Sequence, residues 1–181
     1  YEHTMDKKLL KRLLAFGKER GIALGATMEN GDYYTAPEEV ERIDVLRWGE
    51  TSRHFEDPMK LLELPVRTLA YIGGPDRVRE LEEHFPECKF FMFAGKTGAD
   101  VVENEASKAE GLKRLCEYYG MDLSQTVAFG DSMNDFEIVS RAGIGIAMGN
   151  SVEELKAAAD YVTDPIDRDG VWNACRHFGW I

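Results

Sequence analysis

Residues Thr126 to Asp135 constrain this chain more than any other stretch. A short apolar run of β character, Thr126-Val127-Ala128-Phe129, stops abruptly at Gly130. Asp131, Ser132, Met133, Asn134 and Asp135 then crowd the start of a helix. In an open α/β sheet the C-terminal end of a strand faces the crevice where ligands bind. Two carboxylates placed there repel each other unless a positive group lies between them, and a divalent cation is the natural third party. The plainer alternative is a strand-to-helix connection in which Ser132 and Asp135 only cap the helix.

The pattern around this corner is regular. Helix to Tyr119, strand Thr126 to Phe129, helix Phe136 to Arg141, strand Ile144 to Ala147, helix Val152 to Ala159 and strand Tyr161 to Thr163 alternate strictly. Such alternation with apolar strands predicts a parallel sheet. The earlier part reads differently. Thr4 is placed to cap a helix whose Leu9, Leu10, Leu13, Leu14 and Phe16 form one stripe ending at Gly21, and Ile22 to Thr27 follow as a strand. Thr35-Ala36-Pro37-Glu38 has the capping-box spacing and opens a helix through Val40, Ile43 and Leu46. Val66 to Ile72, a helix through Val78, Leu81 and Phe85, Lys89 to Phe93, and Asp100 to Glu103 complete a βαβ-like grouping of α+β character. The change of pattern at Glu103 to Glu105 predicts two domains, 1–104 and 105–181.

Lys108 sits where a lysine is not favoured. Ser107 and Glu110 form a Ser-x-x-Glu capping box, which puts Lys108 at the first helical position, against the positive end of the helix dipole. That costs a few tenths of a kcal/mol. A lysine beside helix N–H groups makes an anion site and balances clustered carboxylates, which explains the choice.

Gly130-Asp131-Ser132-Met133-Asn134-Asp135 resembles the fourth motif, GDxxND, of haloacid-dehalogenase-type phosphatases of the Cof branch. Glu103 to Leu112, with Lys108 opening its helix, resembles the third motif, although Ala109 stands where Gly is usual. Ala142 to Asn150 and Asp160 to Thr163 resemble the closing elements, so the likeness spans most of the chain. It implies an α/β fold: the C-terminal half of a doubly wound, Rossmann-like core (105–181) preceded by a substrate-reading α+β cap (1–104). It also implies that Lys108, Asp131 and Asp135 are the catalytic residues, that Asp131 ligates Mg²⁺, that Asp135 lies behind it and holds a metal-bound water or Lys108, and that Lys108 and Asn134 bind phosphate. The expected reaction is hydrolysis of a small phosphorylated metabolite, of sugar phosphate or nucleotide type, through an aspartyl-phosphate.

The family's first two motifs, which carry the attacking Asp and a Ser or Thr, are not found ahead of the third. Asp167-Arg168-Asp169-Gly170 fits the bare Asp-x-Asp-Gly pattern, but it follows the fourth motif, Pro165 interrupts the approach, and Val171 replaces Thr; it reads as an acidic loop. This chain alone is therefore expected to be inactive, and prone to associate through strand edges and apolar faces left uncovered. Tyr1 in place of an initiator Met favours truncation. The alternative is a non-catalytic phosphate-binding, metal-binding or interaction module of the same fold.

A formal net charge of −11, with no block of Lys or Arg, argues against a nucleic-acid partner. A small phosphorylated ligand is still compatible, because remote surface charge is screened within about 10 Å. Cys88, Cys116 and Cys175 are odd in number and widely spaced, which suits a reducing cytoplasm rather than a disulfide or zinc scaffold. No apolar run approaches the roughly 20 residues of a membrane span. Asn150 reads as a helix-entry residue before the Ser151-Val152-Glu153-Glu154 box, and Trp48, Trp172 and Trp180 read as packing residues.

Overall fold

The computed structural model describes residues 2–93 and 95–181. Tyr1, on which the expectation of truncation rests, lies outside the described residues. The chain divides into two compact units, Tyr1–Asn104 and Glu105–Ile181.

In the first unit, β1 (Ala23–Met28), β2 (Gly31–Tyr34), β3 (Leu69–Ile72), β4 (Cys88–Met92) and β5 (Gly98–Glu103) form one sheet in the order β2-β1-β3-β5-β4. Every pairing is antiparallel. The βαβ-like grouping expected from the sequence is present in split form: β3 and β4, joined through the helix Pro75–His84, both run antiparallel to the intervening β5 and so parallel to each other, and β2 and β3, joined through the helix Pro37–Trp48, flank β1 in the same way. Strand β2 was not anticipated. It pairs with β1 from Met28↔Gly31 to Gly25↔Tyr34 across a tight turn at Glu29-Asn30. The period-2 alternation of the strands loads both faces. Leu24, Ala26, Leu69, Tyr71 and Val101 face a core completed by α1 (Lys7–Arg20) and by Val78, Leu81 and Phe85 of the α3 segment (Pro75–His84 and its C-cap). Ala23, Tyr34 and Ile72 meet Val40 and Ile43 of α2 (Pro37–Trp48) on the opposite face. Leu9, Leu10, Leu13 and Leu14 of α1 are all buried, and each such burial stabilises the fold by roughly 2 kcal/mol.

Two caps differ from the sequence reading. Asp6, not Thr4, starts α1: its carboxylate accepts from the Lys8 and Leu9 amides at 2.9 and 3.0 Å, and its charge suits the positive helix end. Thr35 does not cap α2, which begins from Ala36 without a side-chain cap. Its hydroxyl is instead committed to the entry of β1, accepting from the Leu24 amide at 3.0 Å and donating to the carbonyl of Ile22, just before the strand, at 2.5 Å.

The second unit carries β6 (Val127–Gly130), β7 (Ile144–Ala147) and β8 (Tyr161–Val162) in the order β6-β7-β8, all parallel, as the alternation predicts. The helices are α4 (Lys108–Tyr119), α5 (Phe136–Arg141), α6 (Glu153–Ala158) and α7 (Gly170–His177). Val139, Ala147 and Leu155 form the small core that joins α5, β7 and α6. Gly145 lets α5 lie directly on β7, because a Cβ there would stand 2.0 Å from the Val139 carbonyl oxygen.

Around the Asp-x-Asp-Gly decoy, Ile166–Arg168 is a short 3-10 turn and Asp169 has φ 57°, so no strand delivers Asp167 to a sheet end. Trp48 and Trp172 are exposed, whereas Trp180, though also exposed, stacks on Phe178 with ring centroids 4.9 Å apart. All three cysteines are free. Among the described residues no helix is long and apolar enough to cross a membrane.

Candidate functional site

The site grows from the C-terminal end of β6. The strand ends at Gly130, Met133–Asp135 form a 3-10 turn, and α5 begins at Phe136. This turn folds the Asp135 side chain back beneath the strand end. Its Oδ2 accepts from the backbone N–H of Asp131 at 3.0 Å and of Ser132 at 3.4 Å. Its Oδ1 pairs with Nζ of Lys108. Gly130 makes room for the fold-back, since a Cβ there would lie 2.6 Å from that of Asp135.

Lys108 arrives from α4 at the position the capping box predicts: Ser107 is the N-cap, and its Oγ accepts from the Glu110 amide at 3.2 Å. The lysine side chain is about half exposed, whereas Asp135 is buried. An ammonium has three donors, so pairing with Asp135 leaves others for a second anion.

Burial pushes the Asp135 carboxyl up, but Lys108 and the two backbone amides outweigh it and hold the group below its ordinary 3.8. A depressed native pKa adds stability that is present above the unfolded value and is lost as pH falls through the native one. We therefore expect Asp135→Asn to flatten the acid limb of the stability curve below about pH 4 while changing its shape little between pH 6 and 7. Urea unfolding across pH 2.5–7 measures this, and an unchanged acid limb in the variant would contradict it.

The other expected residues lie on the same turn. The Asp131 carboxylate is exposed and takes no hydrogen bond or ion pair among the described residues. Asn134 Oδ1 accepts from Ser132 Oγ at 2.6 Å, which leaves the amide nitrogen without a partner among the described residues. Lys108, Asp131, Asn134 and Asp135 are thus brought to one strand end. Asn150 does not cap α6, whose N-cap is Val152. Its Oδ1 accepts from the Ile166 amide at 2.9 Å and ties two loops together.

Among the described residues no group of three or more His, Cys, Asp or Glu side chains surrounds a point where a metal ion would sit. Asp135 is already committed to Lys108 and two amides, so Asp131 is the free carboxylate that the turn offers. One carboxylate fits Mg²⁺, which keeps several waters and is often completed by substrate phosphate.

A second polar constellation, in the first unit, was not anticipated. Arg53 spans two buried carboxylates, with Nε and Nη2 on Asp44 at 2.7 and 3.2 Å and Nη1 on Asp32 at 2.9 Å. Thr27 and the His54 amide also bond to Asp32. Burial raises the Asp32 carboxyl, and these bonds together more than reverse the effect. With Trp48 at the rim, the group lines a cleft of about 390 Å³.

The sequence pattern of the family described as haloacid dehalogenase-like hydrolase matches residues 1–175. The chain is 30% identical over 186 residues to the putative phosphatase YkrA of Bacillus subtilis, covering 100% of this chain and 70% of that protein. The solved structure of the subclass IIB sugar phosphatase BT4131 superposes with a TM-score of 0.82 at 28% identity, covering 100% of this chain and 70% of the other. BT1666 of Bacteroides thetaiotaomicron, described among phosphatases of the same superfamily, gives a TM-score of 0.88 at 26% identity, over 98% and 66%.

Proposed function

The chain belongs to the haloacid dehalogenase-like hydrolases, and from that premise we propose that its second unit is the metal- and phosphate-binding corner of a Mg²⁺-dependent phosphatase acting on a small phosphorylated metabolite. The observation that carries this reading is the Lys108–Asp135 pair standing at the same strand end as a free Asp131 carboxylate and the unpartnered amide nitrogen of Asn134. A cation, an amide donor and a free acid on one turn suit a ligand that is both anionic and metal-bound.

Asp131 would hold the Mg²⁺, which when bound supplies positive charge against the phosphoryl oxygens. Lys108 keeps an ammonium beside the phosphate and is itself oriented by Asp135. Asn134 donates from its amide nitrogen. Asp135 does not touch substrate in this reading; it fixes Lys108 and the Asp131 backbone together. These groups act by stabilising charge on the transferring phosphoryl group, the dominant need in phosphate ester hydrolysis.

We assign the attacking carboxylate to a segment outside these 181 residues. The phosphoryl group passes to that carboxylate as the ester P–O bond breaks, and water then cleaves the aspartyl-phosphate. The length of YkrA beyond the matched region, 30% of that protein, supports the assignment. The first unit is then the cap that reads the leaving group, and the sugar phosphatase BT4131 favours a sugar phosphate over a nucleotide.

The test compares the complete gene product with the 181-residue chain alone, using p-nitrophenyl phosphate and a Mg²⁺ titration. We expect turnover by the complete product and none by the isolated chain. Asp131→Asn should lower kcat/KM roughly 100-fold and raise the half-saturating Mg²⁺ concentration, since a metal contact is worth several kcal/mol. An inert complete product whose Mg²⁺ affinity is unmoved by Asp131→Asn would sink the catalytic reading and favour a binding module.

A further inference from the structure

We propose that Ser132 is a positioning residue for Asn134: its hydroxyl fixes the sense of the asparagine amide, so that N–H donors rather than the carbonyl oxygen are presented to a bound phosphate. The inference rests on the phosphate-binding role given to Asn134 above and adds a residue that neither the sequence reading nor that role requires.

An asparagine side chain ends in a torsion with two nearly equivalent senses, which exchange a donor edge for an acceptor edge. The difference matters beside a phosphate dianion. One sense donates to it, and the other points a carbonyl oxygen at it. On the turn after β6, Ser132 Oγ donates to Asn134 Oδ1 at 2.6 Å. Oxygen and nitrogen stand on opposite edges of the carboxamide, so occupying Oδ1 turns both N–H donors away from Ser132.

Ser132 is itself held on both sides of its backbone. Its N–H donates to Asp135 Oδ2 at 3.4 Å, and its carbonyl accepts from the Asp135 amide at 3.0 Å. The chain of constraint therefore runs from buried Asp135 through the Ser132 backbone to the Ser132 hydroxyl and the Asn134 amide. The same carboxylate that holds Lys108 also sets the donor of Asn134.

A double-mutant cycle on the complete gene product tests this, reading kcat/KM for p-nitrophenyl phosphate and the inhibition constant of inorganic phosphate. Asn134→Ala should lower kcat/KM roughly 30-fold, as expected for one hydrogen bond to a charged group. Ser132→Ala should lower it roughly five-fold and weaken phosphate inhibition in parallel. The distinguishing result is the second leg: in an Asn134→Ala background, Ser132→Ala should cost less than roughly two-fold, because its target is gone. Ser132→Thr, which keeps the hydroxyl on an extended backbone (φ −137°, ψ 174°), should restore most of the activity.

Equal losses from Ser132→Ala in both backgrounds would reduce Ser132 to a helix-entry residue and overturn the proposal. So would a harmless Ser132→Ala beside a damaging Asn134→Ala. A harmless Asn134→Ala would instead remove the role of Asn134 itself, and the proposal with it.

Discussion

Lys108→Met is expected to lower kcat/KM for a phosphate monoester by roughly 10²–10³-fold in the complete gene product, with the fold retained. Methionine keeps the length and apolar stem of lysine and deletes only the ammonium. The Asp135 carboxylate still accepts from the Asp131 and Ser132 amides, so the turn keeps its main-chain anchors. Because Lys108 is about half exposed, losing the ion pair should cost only about 1 kcal/mol of stability. The separation of the two effects is the point of the substitution. Lys108→Arg should recover little, since a planar fork cannot replace a point charge at the first turn of α4. Steady-state kinetics beside urea unfolding measures both effects. A variant within two-fold of the parent in kcat/KM would end the role assigned to Lys108.

Arg53→Ala is expected to destabilise the first unit by about 3 kcal/mol, a large effect for a residue outside the phosphate corner. The guanidinium spans Asp32 and Asp44, both buried, so removing it leaves two carboxylates facing each other without a cation. Uncompensated buried charge is among the costliest single lesions a fold sustains. The sign with pH follows. With Arg53 present, the Asp32 carboxyl titrates below its ordinary range, whereas without it burial and like charge push the other way. The variant should therefore regain part of its lost stability on acidification from pH 7 to 5, as a carboxyl takes up a proton. Equilibrium denaturation at the two pH values checks this, and a loss under 1 kcal/mol at pH 7 would show that water replaces the arginine.

The two constellations differ in how they are written along the chain. Asp131, Asn134 and Asp135 occupy one turn, and Lys108 opens the helix that a capping box marks, so local rules place each residue where a strand end can gather them. The parallel order of β6, β7 and β8 follows from strict alternation for the same reason. Arg53, Asp44 and Asp32 come from a loop, a helix and a strand, and no spacing rule links them. Their meeting depends on β2, whose sequence Gly31-Asp32-Tyr33-Tyr34 opens on two residue types that strands disfavour and shows no apolar–polar alternation. A turn signal does precede it: the polar run Glu29-Asn30-Gly31-Asp32 separates β1 from the two tyrosines. Caps fail in a related way: Thr35 has the right residue type and spacing for a helix start, but the Leu24 amide of β1 and the carbonyl of Ile22 just before that strand compete for its hydroxyl and win.

The empty space above Gly130 governs the chemistry of its neighbours. Asp135 reaches Lys108 and the Asp131 amide only because nothing hangs from the α-carbon before them. Any methyl group at that point would evict the acid from its niche, scatter the lysine and loosen the loop. A position with no functional group of its own is therefore as narrowly restricted in residue choice as the acids it accommodates.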